Sequence, residues 1–206
     1  MAKGSSSNSW LRRQERDEYV KKAKAEGWRS RAIYKLIEIQ ERDRLIKRGG
    51  RILDLGAAPG AWSQYASKLV GDEGRVIAVD LLPMEAIAGV TFIQGDFRDE
   101  QILEEILHCA GGEPFDLVMS DMAPNISGNK SVDQPRAMYL AELAADVAKK
   151  ILGKRGAFVA KLFHGEGFDP FVRDIRQSYE AVKVRKPKAS RPQSRETYLV
   201  ARNIRV

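Results

Sequence analysis

The chain has a single cysteine, Cys109, so no internal disulfide can form. That fits a reducing compartment, and Cys109 reads as a small core residue. Two histidines beside one cysteine give no metal-ligand cluster, so no metal is expected, and His108 and His164 read as structural. No apolar run approaches the roughly 18 residues of a membrane span. The opening stretch MAKGSSSNSW lacks the apolar segment of a secretion signal. Both point to a cytoplasmic location. Two phosphate signatures are missing as well: there is no GxGxxG and no GK[ST]. A dinucleotide-dependent dehydrogenase and a P-loop nucleotidase are thereby disfavoured.

What is present is size, charge asymmetry and rhythm. A chain of 206 residues is most simply one domain with a sizeable core. Its net charge of +7 is unevenly spread, with residues 1–51 at +8, residues 52–170 at −8 and residues 171–206 at +7. Solvated helix faces would account for this, but so would two basic ends that meet on one face and bind a polyanion. KVRKPKASRPQSR, residues 183–195, carries no acidic residue and reads as a phosphate-gripping loop.

Residues 1–9 are Ser-rich and read as a disordered tail. A charged helical pattern runs from Trp10 to Glu26 with Gly27 as its stop, and a second helix, about 31–44, follows a Ser30 cap. Short apolar runs then alternate with helical stretches. Strands are expected at 51–55, 75–80, 90–96, 115–121 and 157–163, with helices at about 61–70, 98–109 and 168–179. A long helix precedes the fifth strand, with Asp133 as its cap and Pro135 in its first turn, and Gly153 and Gly156 bracket the turn after it. The alternation implies a parallel α/β sheet covered on both faces. Two final strands, 181–187 and 196–202, are linked too briefly for a crossover and should form an antiparallel hairpin.

Ligands of open α/β sheets bind outside the carboxyl ends of the strands, and those ends are unusually furnished here. Strand 1 runs into DLGAAPGAW, strand 2 ends in Asp80, strand 3 in Gly95-Asp96 and strand 4 in Asp121, while Lys161 lies near the end of strand 5. Each has an ordinary explanation, since a strand-ending Asp often caps a turn; all five together are harder to dismiss. The tight turn of small residues lets a ligand approach the backbone. Asp80, 24 residues after Gly56, suits ribose hydroxyls, and Asp96 suits an adenine amino group. A nucleoside without a pyrophosphate fits this pattern, and S-adenosylmethionine is one. Lys161 is the oddity, a lysine inside the apolar run GAFVAKLF. Burying it costs heavily unless its charge is paired or its proton given up. Asp121, on the neighbouring strand, can pair with it, either as a structural ion pair or as part of a site. Methyl transfer to a poorly nucleophilic hydroxyl needs a base, or a cation that stabilises the developing alkoxide.

RSRAIYKL (29–36), LDLGAAPGAWSQ (53–64), DLLPM (80–84), QGDF (94–97), SDMAPNISG (120–128), PRAMYL (135–140), VAKLFHGEGF (159–168) and SRETYLV (194–200) together resemble the FtsJ/RrmJ-type ribose 2′-O-methyltransferases over about residues 8–202. The likeness is greatest to the bacterial branch that methylates a uridine of large-subunit ribosomal RNA. The resemblance implies a Rossmann-like class I methyltransferase fold, a seven-stranded mostly parallel sheet with helices on both faces. It implies one S-adenosylmethionine-dependent domain over residues 10–206, with basic helices over 10–48. It also implies a Lys35–Asp121–Lys161–Glu196 tetrad, with Lys161 as proton acceptor, and donor binding by Gly60, Trp62, Asp80, Asp96 and Asp121. Lys35 would oppose Asp121 and help Lys161 lose its proton; Glu196 would orient Lys35 or the ribose. From the residues alone, Lys35 reads as a solvated helix lysine, Glu196 as an edge-strand charge and Trp62 as core. One departure is Ala61, where the family commonly has glycine; alanine fits if φ is negative there. The expected partner is 23S ribosomal RNA in the large subunit, gripped by both basic ends of a monomer. Transfer RNA, a cap or a small molecule as acceptor, and a non-catalytic assembly factor on the same fold, are the alternatives.

Overall fold

The computed structural model describes residues 17–205. The tail over 1–9 and the start of the first helical pattern lie outside them. Within them the chain forms α1 (Glu18–Ala25), α2 (Ile33–Asp43), β1 (Arg51–Leu55), α3 (Ala61–Val70), β2 (Arg75–Asp80), β3 (Val90–Gln94), α4 (Glu100–Cys109), β4 (Phe115–Ser120), α5 (Lys130–Ile151), β5 (Leu152–Phe163), α6 (Phe168–Ser178), β6 (Tyr179–Arg185) and β7 (Glu196–Ile204).

The seven strands form one sheet in the order β3-β2-β1-β4-β5-β7-β6. β1 to β5 are parallel, and β7 runs antiparallel between β5 and β6. The expected hairpin is therefore present, and its second strand is the one that inserts next to β5. The order reverses between β1 and β4, which opens a crevice at their carboxyl ends.

Alternation along the strands feeds two cores. Leu53, Leu55, Phe158 and Leu199 pack with α4, α5 and α6 on one face. Ile52, Val159, Tyr198 and Val200 pack with α2 and α3 on the other, against Leu36, Ile39 and Trp62.

Several boundaries shift for local reasons. The long helix is capped by Asn129, whose side chain accepts from Ser131 N, and not by Asp133. Asp133 instead accepts from Ser127 N and Gly128 N, folding the loop before the helix back onto it. Pro135 consequently lies in the second turn and not the first. Ser30 does not cap α2 directly: its hydroxyl accepts from Ala32 N at 3.3 Å, in the turn that leads into the helix. β5 begins at Leu152, so Gly153 and Gly156 lie within it, beside a register shift against β4.

Candidate active site

The alternation of β5 explains where Lys161 points. Ala157 and Val159 pack in the core under α2 and α3. Lys161, two residues further on, faces the same side at the strand's carboxyl end, paired in register with Tyr198. Its Nζ donates to Asp121 Oδ1 at 2.8 Å and to the Asp121 carbonyl at 2.7 Å. Asp121 is the first residue after β4. Lys35 comes from the sheet-facing side of α2, and its Nζ lies 3.9 Å from Asp121 Oδ1 and 2.8 Å from Glu196 Oε1. Glu196 opens β7 and also accepts from Ser190 Oγ at 2.7 Å. The four tetrad positions thus meet in one cluster of alternating charge. Lys35 and Lys161 are each only 9% exposed, and both are paired, as buried cations must be.

The electrostatics follow from that crowding. Burial holds the Lys35 ammonium below its ordinary value, with the Lys161 charge acting the same way against the pull of Asp121 and Glu196. Burial works against ionising Asp121, but Lys161 and Lys35 outweigh it and hold its carboxyl below the usual carboxylate range. Glu196 is likewise held down by the two lysines despite its burial.

Tyr198 is a member of this cluster that the sequence reading missed. Its hydroxyl donates to Asp121 Oδ1, and burial, with Asp121 beside it, pushes its phenol well above the ordinary value. The signal was the spacing: Tyr198 and Glu196 are two apart on one strand, so they share a face.

Beside the cluster, a cleft of about 400 Å3 lies across the carboxyl ends of β1, β2, β3 and β4. Asp80, Asp96 and Asp121 all line it, as expected. Asp80 accepts from Ala58 N and Leu82 N, both at 2.8 Å, which fixes the carboxylate while leaving lone pairs for a ligand hydroxyl. Asp96 is engaged by Arg98, whose Nε lies 2.9 Å from both of its oxygens, and this pairing holds its carboxyl low. Leu81, Leu82, Phe97 and Leu143 supply apolar walls, and Arg98 is the one cation on the lining among the described residues. Carboxylates, apolar walls and so little positive charge fit a nucleoside without phosphates, and S-adenosylmethionine meets that description.

Gly60 and Trp62 do not line this cleft. Gly60 caps α3 at φ 100°, and a Cβ there would meet Met84 Sδ at 2.6 Å, so backbone and packing both require glycine. Trp62 is buried against Tyr198 and donates its Nε1 to Ala32 O at 2.9 Å, tying α3 to the start of α2. It also lines a side cavity of about 50 Å3 with Asp54 and Asp121. Ala61, where the family has glycine, opens α3 and is absent from the positive-φ residues, so alanine is accommodated. Gly56 does border the cleft, at φ 70°, and an added Cβ would fall 2.1 Å from Met122 Cγ. Gly56→Ala should lower the affinity for S-adenosylmethionine at least about tenfold, since the strained turn and a displaced Met122 both act at the cleft. Isothermal titration with the donor measures it, and an unchanged affinity would mean the turn does not touch the ligand.

On the other side of the cluster a second cavity, about 450 Å3, is lined by Lys35, Lys161 and Glu196 together with Arg31 and Arg191. The two basic ends of the sequence do meet around it. Arg31 bonds to Asp17 and to the carbonyl of Ala189, Arg191 lies 3.6 Å from Asp17, and Lys188 N donates to Glu38 at 2.7 Å. Some of the positive charge serves the fold itself. Arg185 is paired with Asp43 at 2.6 Å, and Lys186 Nζ donates to Glu196 O at 2.8 Å.

A reversed-order sheet with a carboxylate-lined cleft at its switch point, next to a lysine–carboxylate cluster, is the architecture of an α/β methyltransferase fold. The chain belongs to the FtsJ-like methyltransferase family, whose model matches residues 28–204. Among curated proteins it is 55% identical over 202 residues to "Ribosomal RNA large subunit methyltransferase E" of Cellvibrio japonicus, covering 98% of this chain and 96% of that one. The protein of the same name from Hydrogenovibrio crunogenus is also 55% identical, at 98% of each chain. A candidate ribosomal RNA methyltransferase from Plasmodium falciparum is a solved structural neighbour, with TM-score 0.74 and 28% identity over 86% of this chain and 98% of that chain. A candidate rRNA methylase from Clostridium thermocellum, 16% identical with TM-score 0.55 over 81% of this chain and 96% of that one, shares the fold. The methyl donor of such FtsJ-like enzymes is S-adenosylmethionine.

Proposed function

We propose that this chain methylates the 2′-hydroxyl of a uridine ribose in the 23S ribosomal RNA of the large ribosomal subunit. The observation that carries the reading is the position of the charge cluster. Asp121 lines the donor cleft, Lys161 lines the facing cavity, and the two side chains are in contact at 2.8 Å. An acceptor hydroxyl seated at Lys161 would lie beside the donor. The large-subunit names and near-complete coverage of the two 55% identical relatives support the RNA as acceptor.

In this reading Lys161 takes the proton of the 2′-hydroxyl. S-adenosylmethionine held in the cleft would supply a methyl group on a sulfonium; in-line attack by the ribose oxygen would form the O–CH3 bond, break the S–CH3 bond and release the neutral thioether S-adenosylhomocysteine. Two of the Lys161 donors are committed to Asp121, through Oδ1 and the carbonyl, so the amine is aimed. Lys35, 3.9 Å from the same Oδ1, shares that carboxylate with Lys161. Glu196 in turn keeps Lys35 in place at 2.8 Å. Arg31 and Arg191, on the cavity wall, contact RNA phosphates, which position the substrate without reading its bases. The protein acts as a monomer in the cytoplasm, and residues 10–206 work as one domain.

The test is methyl transfer from radiolabelled donor to unmethylated large subunits, free ribosomal RNA and bulk transfer RNA, offered separately, with the label mapped. Label on a ribose of the large subunit is expected. Label on transfer RNA alone would keep the chemistry and overturn the substrate. No label on any of them, with donor still bound, would favour an assembly factor.

A further inference from the structure

The acceptor cavity does not end at the charge cluster. A second cavity of about 250 Å3 adjoins it, and the two share Ile126, Phe163, Gln193 and Ser194 as common wall. The second cavity holds none of the tetrad residues. Its chemistry is that of a base pocket. Pro124, Ile126, Ala137 and Phe163 give it apolar surface, Gln193 and Ser194 give it neutral hydrogen-bonding groups, and Lys130 and Arg195 stand on the lining as cations.

Four observations make this more than a surface dimple. Ile126 is 66% exposed, a large apolar side chain held in solvent over both cavities. Phe163, only part-buried, ends β5 two residues after Lys161, so its position is tied to that of the cluster. The wall beneath is firmly built: Gln134 is 7% exposed and donates its Nε2 to Phe163 O at 3.0 Å and to Glu166 O at 2.9 Å, bracing the end of β5. The facing loop is braced too, because Ser127 and Gly128 are both bonded to Asp133.

An RNA strand that places one ribose at Lys161 must carry its neighbouring nucleotide somewhere within one backbone step. We infer that this second cavity takes the base of the nucleotide adjacent to the methylated one, laid against Phe163 and Ile126, with its phosphate met by Lys130 or Arg195. Apolar and aromatic side chains beneath an unstacked base, with cations for the backbone, are how single-stranded RNA is usually held. The inference rests on the proposed ribosomal RNA reading and names a further determinant of it. The pocket lets the enzyme require a splayed neighbour, and so prefer an unpaired or loop segment over a regular helix.

The experiment uses the full-length enzyme and reconstituted large subunits whose RNA carries an abasic residue on one side or the other of the methylated position. For the wild type, one of the two abasic substrates should raise KM about tenfold, within the roughly 1–3 kcal/mol that base stacking contributes, with kcat within about twofold. Ile126→Ala, at an exposed position outside the tetrad, and Gln193→Ala should each raise KM on normal subunits several-fold. They should lose little further on the sensitive abasic substrate, because the contact is already absent there. Donor affinity should not change. Additive losses for variant and abasic substrate, or no effect of either abasic residue, would overturn the inference while leaving the enzyme's main activity standing. Failure of the wild type to methylate intact subunits would instead refute the ribosomal reading.

Discussion

Lys161→Ala should cost about three orders of magnitude in methyl transfer, near the middle of the 10²- to 10⁴-fold range for losing a positioned general base, while donor affinity stays within a few-fold. The split follows from geometry. Lys161 lines the acceptor cavity and is absent from the donor cleft. Its loss leaves Asp121 with two of its partners, Tyr198 and Lys35, so the carboxylate beside the cleft remains held. Stability should fall, since one member of a buried pair is removed, but less than the roughly 3–5 kcal/mol of a lone pair broken in isolation. Lys161→Arg separates the two roles. A guanidinium is always protonated and has no acceptor, so it can hold Asp121 but cannot take a proton. That variant should be more stable than Lys161→Ala and equally inactive. Single-turnover transfer, donor titration and thermal melts measure the three quantities. Donor affinity falling in step with rate, or more than a tenth of the activity surviving in Lys161→Arg, would make Lys161 a structural residue.

The sequence made the sheet and its carboxyl edge readable because strand ends are marked by single residues. Asp80, Asp96 and Asp121 each follow an apolar run that can be counted, and all three line the cleft at the strands' carboxyl ends. Lys161 was conspicuous because a lysine within GAFVAKLF breaks the pattern of a buried strand. Lys35 and Glu196 were legible only through the family's motifs. Nothing local distinguishes Lys35 from other lysines on a charged helix; what makes it special is that α2 packs against the sheet, which is a tertiary fact. Trp62 and Gly60 show the reverse. The motif suggested ligand contacts for both; what the fold shows in addition is a packing role, Trp62 joining α3 to Ala32 and Gly60 answering to Met84 and its own φ. The cap of α5 was misplaced because Asn129 and Asp133 are both good capping residues, and only the folding back of Ser127 and Gly128 decides between them.

Asp54 is the residue for which the second large effect is expected, and its place in the motif gave no hint of it. It lies on β1, facing α3, only 1% exposed, and accepts from Ser63 Oγ at 2.6 Å. Burial, against the help of Ser63 and with the charges of Asp121 and Asp80 adding to it, pushes its carboxyl from 3.8 up to about 7. The folded protein therefore holds this proton at pH values where the unfolded chain has released it. Between about 4 and about 7 the folded state binds more protons, so stability falls as pH rises through that window, and above it the loss is complete. About three pH units at 1.36 kcal/mol each amount to roughly 4 kcal/mol. Asp54→Asn keeps an acceptor for Ser63 and cannot ionise. Relative to the wild type it should be stabilised by about 4 kcal/mol at pH 8, with the gain shrinking to roughly 1.5 kcal/mol at pH 5. Urea unfolding of the two proteins at both pH values measures the difference directly. A gain that is the same at pH 5 and pH 8, or larger at pH 5, would show that Asp54 is ionised in the fold throughout. Asp54 would then be fully ionised at neutral pH, where a pKa of about 7 leaves it only about half ionised, and the side cavity it shares with Asp121 would be correspondingly more negative.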